Sequence, residues 1–218
     1  MLFADRTDAG RQLAAALRRF KDQNPVVLAL PRGGVTVGFE IAVALGCPLD
    51  LLLVRKIGAP MQPELAVGAV VDGPEPQIVT NEDVLAALDL PKDYVERAAQ
   101  RELVEIQRRR DLYLKGRERP VLAGATAIVV DDGIATGATA RAALRAARRQ
   151  RTRRLVLAVP VAPPETVAEL KAECDEIVCL AQPEAFGAIG FFYAEFHQLD
   201  DAEVIRLLDE AAKRRAKP

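Results

Sequence analysis

Ile128 to Thr139 reads I-V-V-D-D-G-I-A-T-G-A-T. Three β-branched residues, Ile128, Val129 and Val130, end an apolar run of the kind that fills a buried strand, and the run stops at two adjacent carboxylates. Asp131 and Asp132 therefore sit at the carboxyl end of a strand. Gly133, Gly137 and two threonines, Thr136 and Thr139, then lead into Ala140, Ala143, Leu144 and Ala147, whose spacing is that of one helix face. The stretch reads as strand, tight loop and helix N-terminus.

Such a loop turns unpaired backbone N–H groups and two hydroxyls toward one point, and the helix dipole favours negative charge there. A phosphate is the natural guest. The two carboxylates would repel that phosphate if they faced it, so they are expected to address hydroxyls or a hard cation on the same ligand. The implied ligand is a sugar phosphate with Mg²⁺. The plain alternative is a strand-to-helix turn with a capping threonine. A nucleotide P-loop fits worse, because no Gly-Lys-Ser/Thr follows the first glycine.

These residues resemble the phosphoribosyl pyrophosphate (PRPP) motif of the type I phosphoribosyltransferases: apolar strand, two acids, short loop, Thr-Gly-Ala-Thr. The resemblance implies that Asp131 and Asp132 hold the ribose hydroxyls and, directly or indirectly, the metal. It also implies that Ala135, Thr136, Gly137, Ala138 and Thr139 wrap the 5′-phosphate.

A second strand-loop-helix unit lies upstream. Val26 to Leu30 is an apolar run broken by Pro31-Arg32-Gly33-Gly34 before a helical segment from Val35 to Leu45. Paired glycines let the backbone approach an anion closely, and the arginine adds a charge-assisted fork, which suits a pyrophosphate. Gly33, Gly34 and Gly38 lack the spacing of a dinucleotide fingerprint. L-P-R-G-G resembles the pyrophosphate loop of the same family, so Arg32, Gly33 and Gly34 are expected to contact the leaving pyrophosphate, with a strained, often cis, peptide in the loop.

Leu49 to Val54 reads as a strand, and R-K-I-G-A-P-M-Q-P-E after it as a surface loop leading to another strand, Ala66 to Val71. In the family a mobile loop here closes over the reaction, which would bring Arg55 and Lys56 to the pyrophosphate and expel water. The residues alone also fit a hairpin-like connection with basic residues at its base. A helical insertion follows at about 81–116. It holds a short helix begun by Asn81 and a long one from Tyr94 to Leu114, whose place as sheet cover, lid or dimer contact is open.

Further strands at Leu155 to Val161 and Ile177 to Leu180, a helix begun by Pro164, a first helix over Asp8 to Phe20 and a closing helix over Asp201 to Lys213 complete the alternation. Residues 1–218 are thus expected to form one α/β domain, a three-layer doubly wound and mostly parallel sheet of the type I phosphoribosyltransferase kind. The segment from 181 to 218 would form a small C-terminal hood. Q-P-E-A-F-G-A-I-G-F-F-Y-A-E-F within it holds five of the ten aromatic residues. The resemblance makes Phe186, Phe191, Phe192 and Tyr193 candidates to stack on an acceptor base; plain packing is the alternative.

Composition bounds the rest. The chain has 218 residues, half of them apolar, and a net charge of −1, so no global field argues for nucleic acid or membrane. Three cysteines, Cys47, Cys174 and Cys179, in apolar surroundings fit a reducing compartment. The start lacks a secretory pattern, and no uncharged apolar stretch reaches membrane-spanning length, so a cytoplasmic protein is expected. Seven arginines and no acid lie between Arg141 and Arg154. A solvated helix face is preferred there over a nucleic-acid patch.

The resemblance, which covers nearly the whole chain and includes R-K-I-G-A-P and F-G-A-I-G-F-F-Y, implies an enzyme. It would be a Mg²⁺-dependent pentosyltransferase that moves 5-phosphoribosyl from PRPP to a nitrogenous small-molecule acceptor, with Arg32, Arg55 and Lys56 as catalytic cations, and a homodimer. Ala135 stands where 6-oxopurine transferases carry an aspartate, so the acceptor is open. The alternative is a non-catalytic PRPP-sensing regulator or nucleic-acid-binding protein on the same fold.

Overall fold

The computed structural model describes residues 2–73, 76–88, 90–91, 93–114 and 116–215, with the backbone alone of residues 63 and 64. The remaining positions of the expected domain, among them 216–218 at the end of the hood, lie outside the described residues. In chain order the elements are α1 (Arg6–Leu17), β1 (Pro25–Ala29), α2 (Gly34–Leu45), β2 (Leu49–Leu51), β3 (Val54–Ala59), β4 (Gln62–Val71), β5 (Gln77–Thr80), α3 (Glu82–Ala87), α4 (Tyr94–Leu114), β6 (Thr126–Val130), α5 (Ala138–Arg149), β7 (Arg154–Val161), α6 (Pro164–Leu170), β8 (Glu176–Ala181) and α7 (Asp201–Arg215).

Five strands form a parallel sheet in the order β2-β1-β6-β7-β8. Every residue of β1 and β6 is buried, which is why both read as unbroken apolar runs rather than as alternations. Alternate side chains feed the two faces. Val27, Ile128 and Val156 pack with Leu13, Leu17, Phe20, Ile41 and Leu45 of the α1/α2 layer. Leu28, Val129 and Leu157 pack with Leu144, Ala143 and Ala147 of α5 and Leu170 of α6. The three-layer α/β architecture is the one expected from the sequence.

The expected strand Leu49 to Val54 divides in two. β1 ends at Ala29, so β2 runs out of partner once the Leu52 N–H has bonded the Ala29 carbonyl at 3.0 Å, and the chain turns away at Leu52-Leu53. The stretch read as a surface loop, with a hairpin-like connection as the alternative, is a β-hairpin. β3 and β4 pair antiparallel, Arg55 opposite Val70 and Lys56 opposite Ala69, and the turn is at Pro60-Met61, with Met61 98% exposed. With β5 they make a separate three-stranded sheet. The long helix α4 lies against β3, β4 and α7, burying Ala98, Ala99, Ile106 and Tyr113, so it covers this second sheet.

The arginine-rich face of α5 is an ion-paired seam. Arg141 reaches Glu169 at 2.8 Å, Arg145 reaches Glu173 at 2.7 Å and Arg148 reaches Asp175 at 2.9 Å, while Arg154 reaches Glu176 at 2.6 Å. Each pair is worth little alone at the surface, but together they set four of the seven arginines against carboxylates, which lowers the positive charge that a nucleic acid would meet there.

At the end of the molecule away from the two glycine loops, Asp50 of β2 and Asp72 beyond β4 are buried near one another, with Arg119 and Arg110 on Asp72. Burial first, and the Asp72 charge to a smaller degree, raise the Asp50 carboxyl above its ordinary 3.8, against the Leu51 N–H and Arg119. A carboxyl with a raised folded pKa binds its proton better in the folded state, so stability falls as pH rises from the unfolded value through the folded one. Asp50→Asn removes that penalty. The variant should match wild type near pH 3 and become the more stable of the two by pH 7, as read by urea denaturation across that range.

Candidate active site

In a doubly wound sheet the ligand lies beyond the strand carboxyl ends where the strand order reverses. Here β1 is followed by β2 on one side while β6 is followed by β7 on the other, so the reversal falls between β1 and β6. Their carboxyl ends carry the two loops singled out in the sequence. Pairing continues one residue past β1, the Leu30 N–H donating to the Val130 carbonyl at 2.9 Å, and the loops then touch. A Cβ placed on Gly33 would stand 1.9 Å from Asp132 Oδ2, and one on Gly34 would stand 2.7 Å from the Val130 carbonyl oxygen. The Pro31-Arg32 peptide is cis, as the resemblance implies for this loop.

The loop from Gly133 to Thr139 is held from outside. Gly137 has φ +75°, a conformation that favours glycine, and caps α5. The Thr166 hydroxyl of α6 donates to the Ala135 carbonyl at 2.7 Å, fixing the turn from below. Thr136 and Thr139 remain exposed, and among the described residues no protein group accepts from the N–H groups of Ala135, Thr136 or Gly137. These donors are left unspent by the fold, as an anion cradle requires.

The acids differ from one another. Asp131 is half-buried and accepts the Asp132 N–H at 2.9 Å; burial, then the neighbouring Asp132 charge, holds its carboxyl well above the usual range. Asp132 is 8% exposed and paired with Arg6 of α1 at 2.6 Å. Arg6 is the residue that sequence reasoning missed. A lone arginine at the start of an amphipathic helix carries no signal linking it to a carboxylate 126 positions away.

The cations are divided. Arg32 stands 3.7 Å from Asp201 of α7, whose carboxylate also accepts from the Tyr113 hydroxyl; burial first, then that bond, pushes the phenol up to about 12. Lys56 faces a cavity of about 500 Å³ between the second sheet and α5, which Thr136 and Thr139 also line. Arg55, next to it on β3, points to the opposite face, as alternation dictates, and bonds Glu102 of α4 at 2.7 Å. The structure does not bring Arg55 to the cleft.

The aromatic tail folds over the acid motif. Residues Ile189–Phe192 form a short 3₁₀ turn, with Ile189 packed where a Cβ on Gly133 would be. Phe186 and Phe192 lie 5.2 Å apart, and Phe191 is 71% exposed. Tyr193 corrects its reading as a stacking residue: it is 3% exposed, its ring lies against Phe3 and Phe196, and its hydroxyl donates to the Asp132 carbonyl at 2.5 Å. A ring with no open face has nothing to offer a base.

Residues 4–195 match the sequence model of the family described as "Phosphoribosyl transferase domain". The chain belongs to this family. Two Mycobacterium tuberculosis proteins, from strains CDC 1551 and H37Rv, each named "Putative phosphoribosyl transferase", are 48% identical over 210 residues, 96% of this chain. The chain spans about half the length of these relatives, 47% of each. The crystal structure of TT1426 from Thermus thermophilus superposes with a TM-score of 0.85 at 44% identity, over 96% of this chain and 99% of that one. Among the described residues no helix is long and apolar enough to cross a membrane.

The donor set can be tested against the family's Mg²⁺. Among the described residues no three or more acids, histidines or cysteines cluster as a metal cage. Asp131, the more exposed of the pair, suits Mg²⁺, which keeps several waters and is usually held by one or two carboxylates plus substrate phosphates, while Asp132 is committed to Arg6.

The contact between the loops leads to a steric prediction. Gly33 has an ordinary helical φ of −57°, so its requirement is for space rather than for conformation. Gly33→Ala should lower stability by about 1–3 kcal/mol through overpacking against Asp132, measured as a shift in the urea midpoint at unchanged m-value.

Proposed function

We propose that this chain binds PRPP with Mg²⁺ at the β1/β6 switch point and transfers its 5-phosphoribosyl group to a nitrogenous small-molecule acceptor, releasing pyrophosphate. The observation that carries the reading is the direct contact of two anion-binding loops at one strand-order reversal. One ligand bearing phosphate at both ends, with hydroxyls between, matches that spacing of functions.

In this reading the N–H groups of Ala135 to Thr139, with the Thr136 and Thr139 hydroxyls, take the 5′-phosphate. The acid pair, of which Asp131 is the accessible member, takes the ribose hydroxyls, and Arg32 with the Gly33 backbone takes the pyrophosphate; the Gly34 N–H donates to the Leu30 carbonyl at 3.1 Å, so that glycine serves the close packing of the loops. Lys56, on a hairpin with an exposed tip, supplies further positive charge from the opposite wall. When bound, Mg²⁺ would neutralise pyrophosphate charge beside the acid pair. The bond from the anomeric carbon to pyrophosphate breaks, a bond to the acceptor nitrogen forms, and that nitrogen gives up its proton. Positioning and charge compensation supply the catalysis. Phe186, Phe191 and Phe192 are the proposed hood against which the acceptor ring stacks. The paired state of the α5 arginines weighs against the nucleic-acid-binding alternative.

Calorimetric titration of PRPP with and without Mg²⁺ tests the reading, and saturable binding only with Mg²⁺ is expected. Asp131→Asn combined with Asp132→Asn should weaken that binding at least about a hundredfold, about 2.8 kcal/mol. Its circular dichroism must be native-like, because the change strips Arg6 of its buried counter-charge. Undiminished affinity in the folded double variant would remove the acids from the site. Pyrophosphate release on screening nitrogenous bases then separates an enzyme from a sensor.

A further inference from the structure

Arg6 is 8% exposed, and its guanidinium makes three contacts at once. Nε donates to Asp132 Oδ2 at 2.6 Å, Nη1 donates to the His197 carbonyl at 2.7 Å, and the plane lies 3.8 Å over the Phe196 ring. The first contact is with the acid motif and the other two are with the tail. The same two segments meet again through the Tyr193 hydroxyl on the Asp132 carbonyl and through Ile189 on Gly133. The start of the chain is zipped to the tail as well: the Phe3 N–H donates to the Phe192 carbonyl at 3.0 Å, Ala194 to Phe3 at 2.9 Å and Glu195 to Ala4 at 2.9 Å.

An arginine suits this place because its planar fork serves two acceptors while its face stacks on a ring; a lysine ammonium answers the charge of Asp132 alone. We propose that Arg6 is a positioning residue that clasps the aromatic tail to the acid motif, so that filling the ribose site and ordering the hood are one coupled event. A ligand on the acid pair fixes Asp132, Asp132 fixes Arg6, and Arg6 fixes the backbone at His197 and the ring of Phe196. The coupling half of this proposal rests on the PRPP reading above; the clasp itself does not.

The experiment is amide hydrogen exchange on the whole chain, wild type and Arg6→Lys, without ligand and with PRPP plus Mg²⁺. Lysine keeps a counter-charge for Asp132, so exchange in β1 and β6 should be unchanged. Without ligand, exchange at Ala194 and Glu195 should be about tenfold faster in the variant, the mark of a locally opened segment rather than a loosened core. PRPP with Mg²⁺ should slow tail exchange in wild type and fail to do so in Arg6→Lys, and the variant's PRPP dissociation constant should rise by about the factor by which the ligand slows the tail in wild type, because the coupling is reciprocal. Phe196→Ala, which removes the ring but no charge, should reproduce the tail effect. Equal ligand-free tail exchange in wild type and Arg6→Lys, or a rise spread over β1 and β6, overturns the clasp. Equal protection of the tail by PRPP in both proteins overturns the coupling. Failure of PRPP to bind wild type sinks the phosphoribosyl reading and the coupling together, while the ligand-free comparison still decides the clasp.

Discussion

Everything at the cleft depends on two backbone segments approaching more closely than side chains allow. The loop after β1 crosses the loop after β6 with Gly33 against the Asp132 carboxylate and Gly34 against the Val130 carbonyl, where a methyl group would stand 1.9 Å and 2.7 Å from oxygen. Two loops that each suit an anion are common at helix N-termini. Two such loops in contact fit the single elongated ligand of the proposed reaction. The close approach also buries Asp132, and a carboxylate buried 126 residues along the chain from its counter-ion requires Arg6 to be brought there by α1.

That requirement orders the outer parts of the molecule. α1 packs on the sheet through Leu13 and Leu17, with Phe20 in the turn that follows it, which sets its N-terminus above the carboxyl end of β6. The first residues then pair with the tail, and Tyr193 closes the gap beneath Asp132. The tail has one buried ring anchoring it and one ring, Phe191, turned outward. An element anchored on one side and open on the other is what a cover over a binding site needs, because it can hold its position without filling the site itself.

The opposite wall is made differently. The three-stranded sheet stands apart from the parallel one, supported by α4 on one face and by α5 across the cavity on the other. Alternation along β3 sends Lys56 to the cavity and Arg55 to α4, so two neighbouring cations have separate duties, one facing the cleft and one bonding the helix that carries the hairpin. Three of the four α5 arginines, Arg141, Arg145 and Arg148, have carboxylate partners within the fold on α6 and on the segment leading into β8. The positive charge that looks concentrated in the sequence is dispersed in space.

The amino-acid sequence by itself determined the parallel core, the order of its units and the two loops, because each is written in contiguous residues: β-branched runs for buried strands, glycines and threonines for turns, alanines at helical spacing after them. Helix α4 was legible to the residue for the same reason. Only the tertiary structure decided what depends on distant partners. It split Leu49 to Val54 where β1 ended, chose the hairpin over the open loop, separated Arg55 from Lys56 and decided for Tyr193 between stacking on a ligand and plain packing. It also brought Arg6 to Asp132. A carboxylate reads the same in one-letter code whether it faces water, a sugar or a buried guanidinium. The difference is made by packing across more than a hundred residues, which no local spacing records.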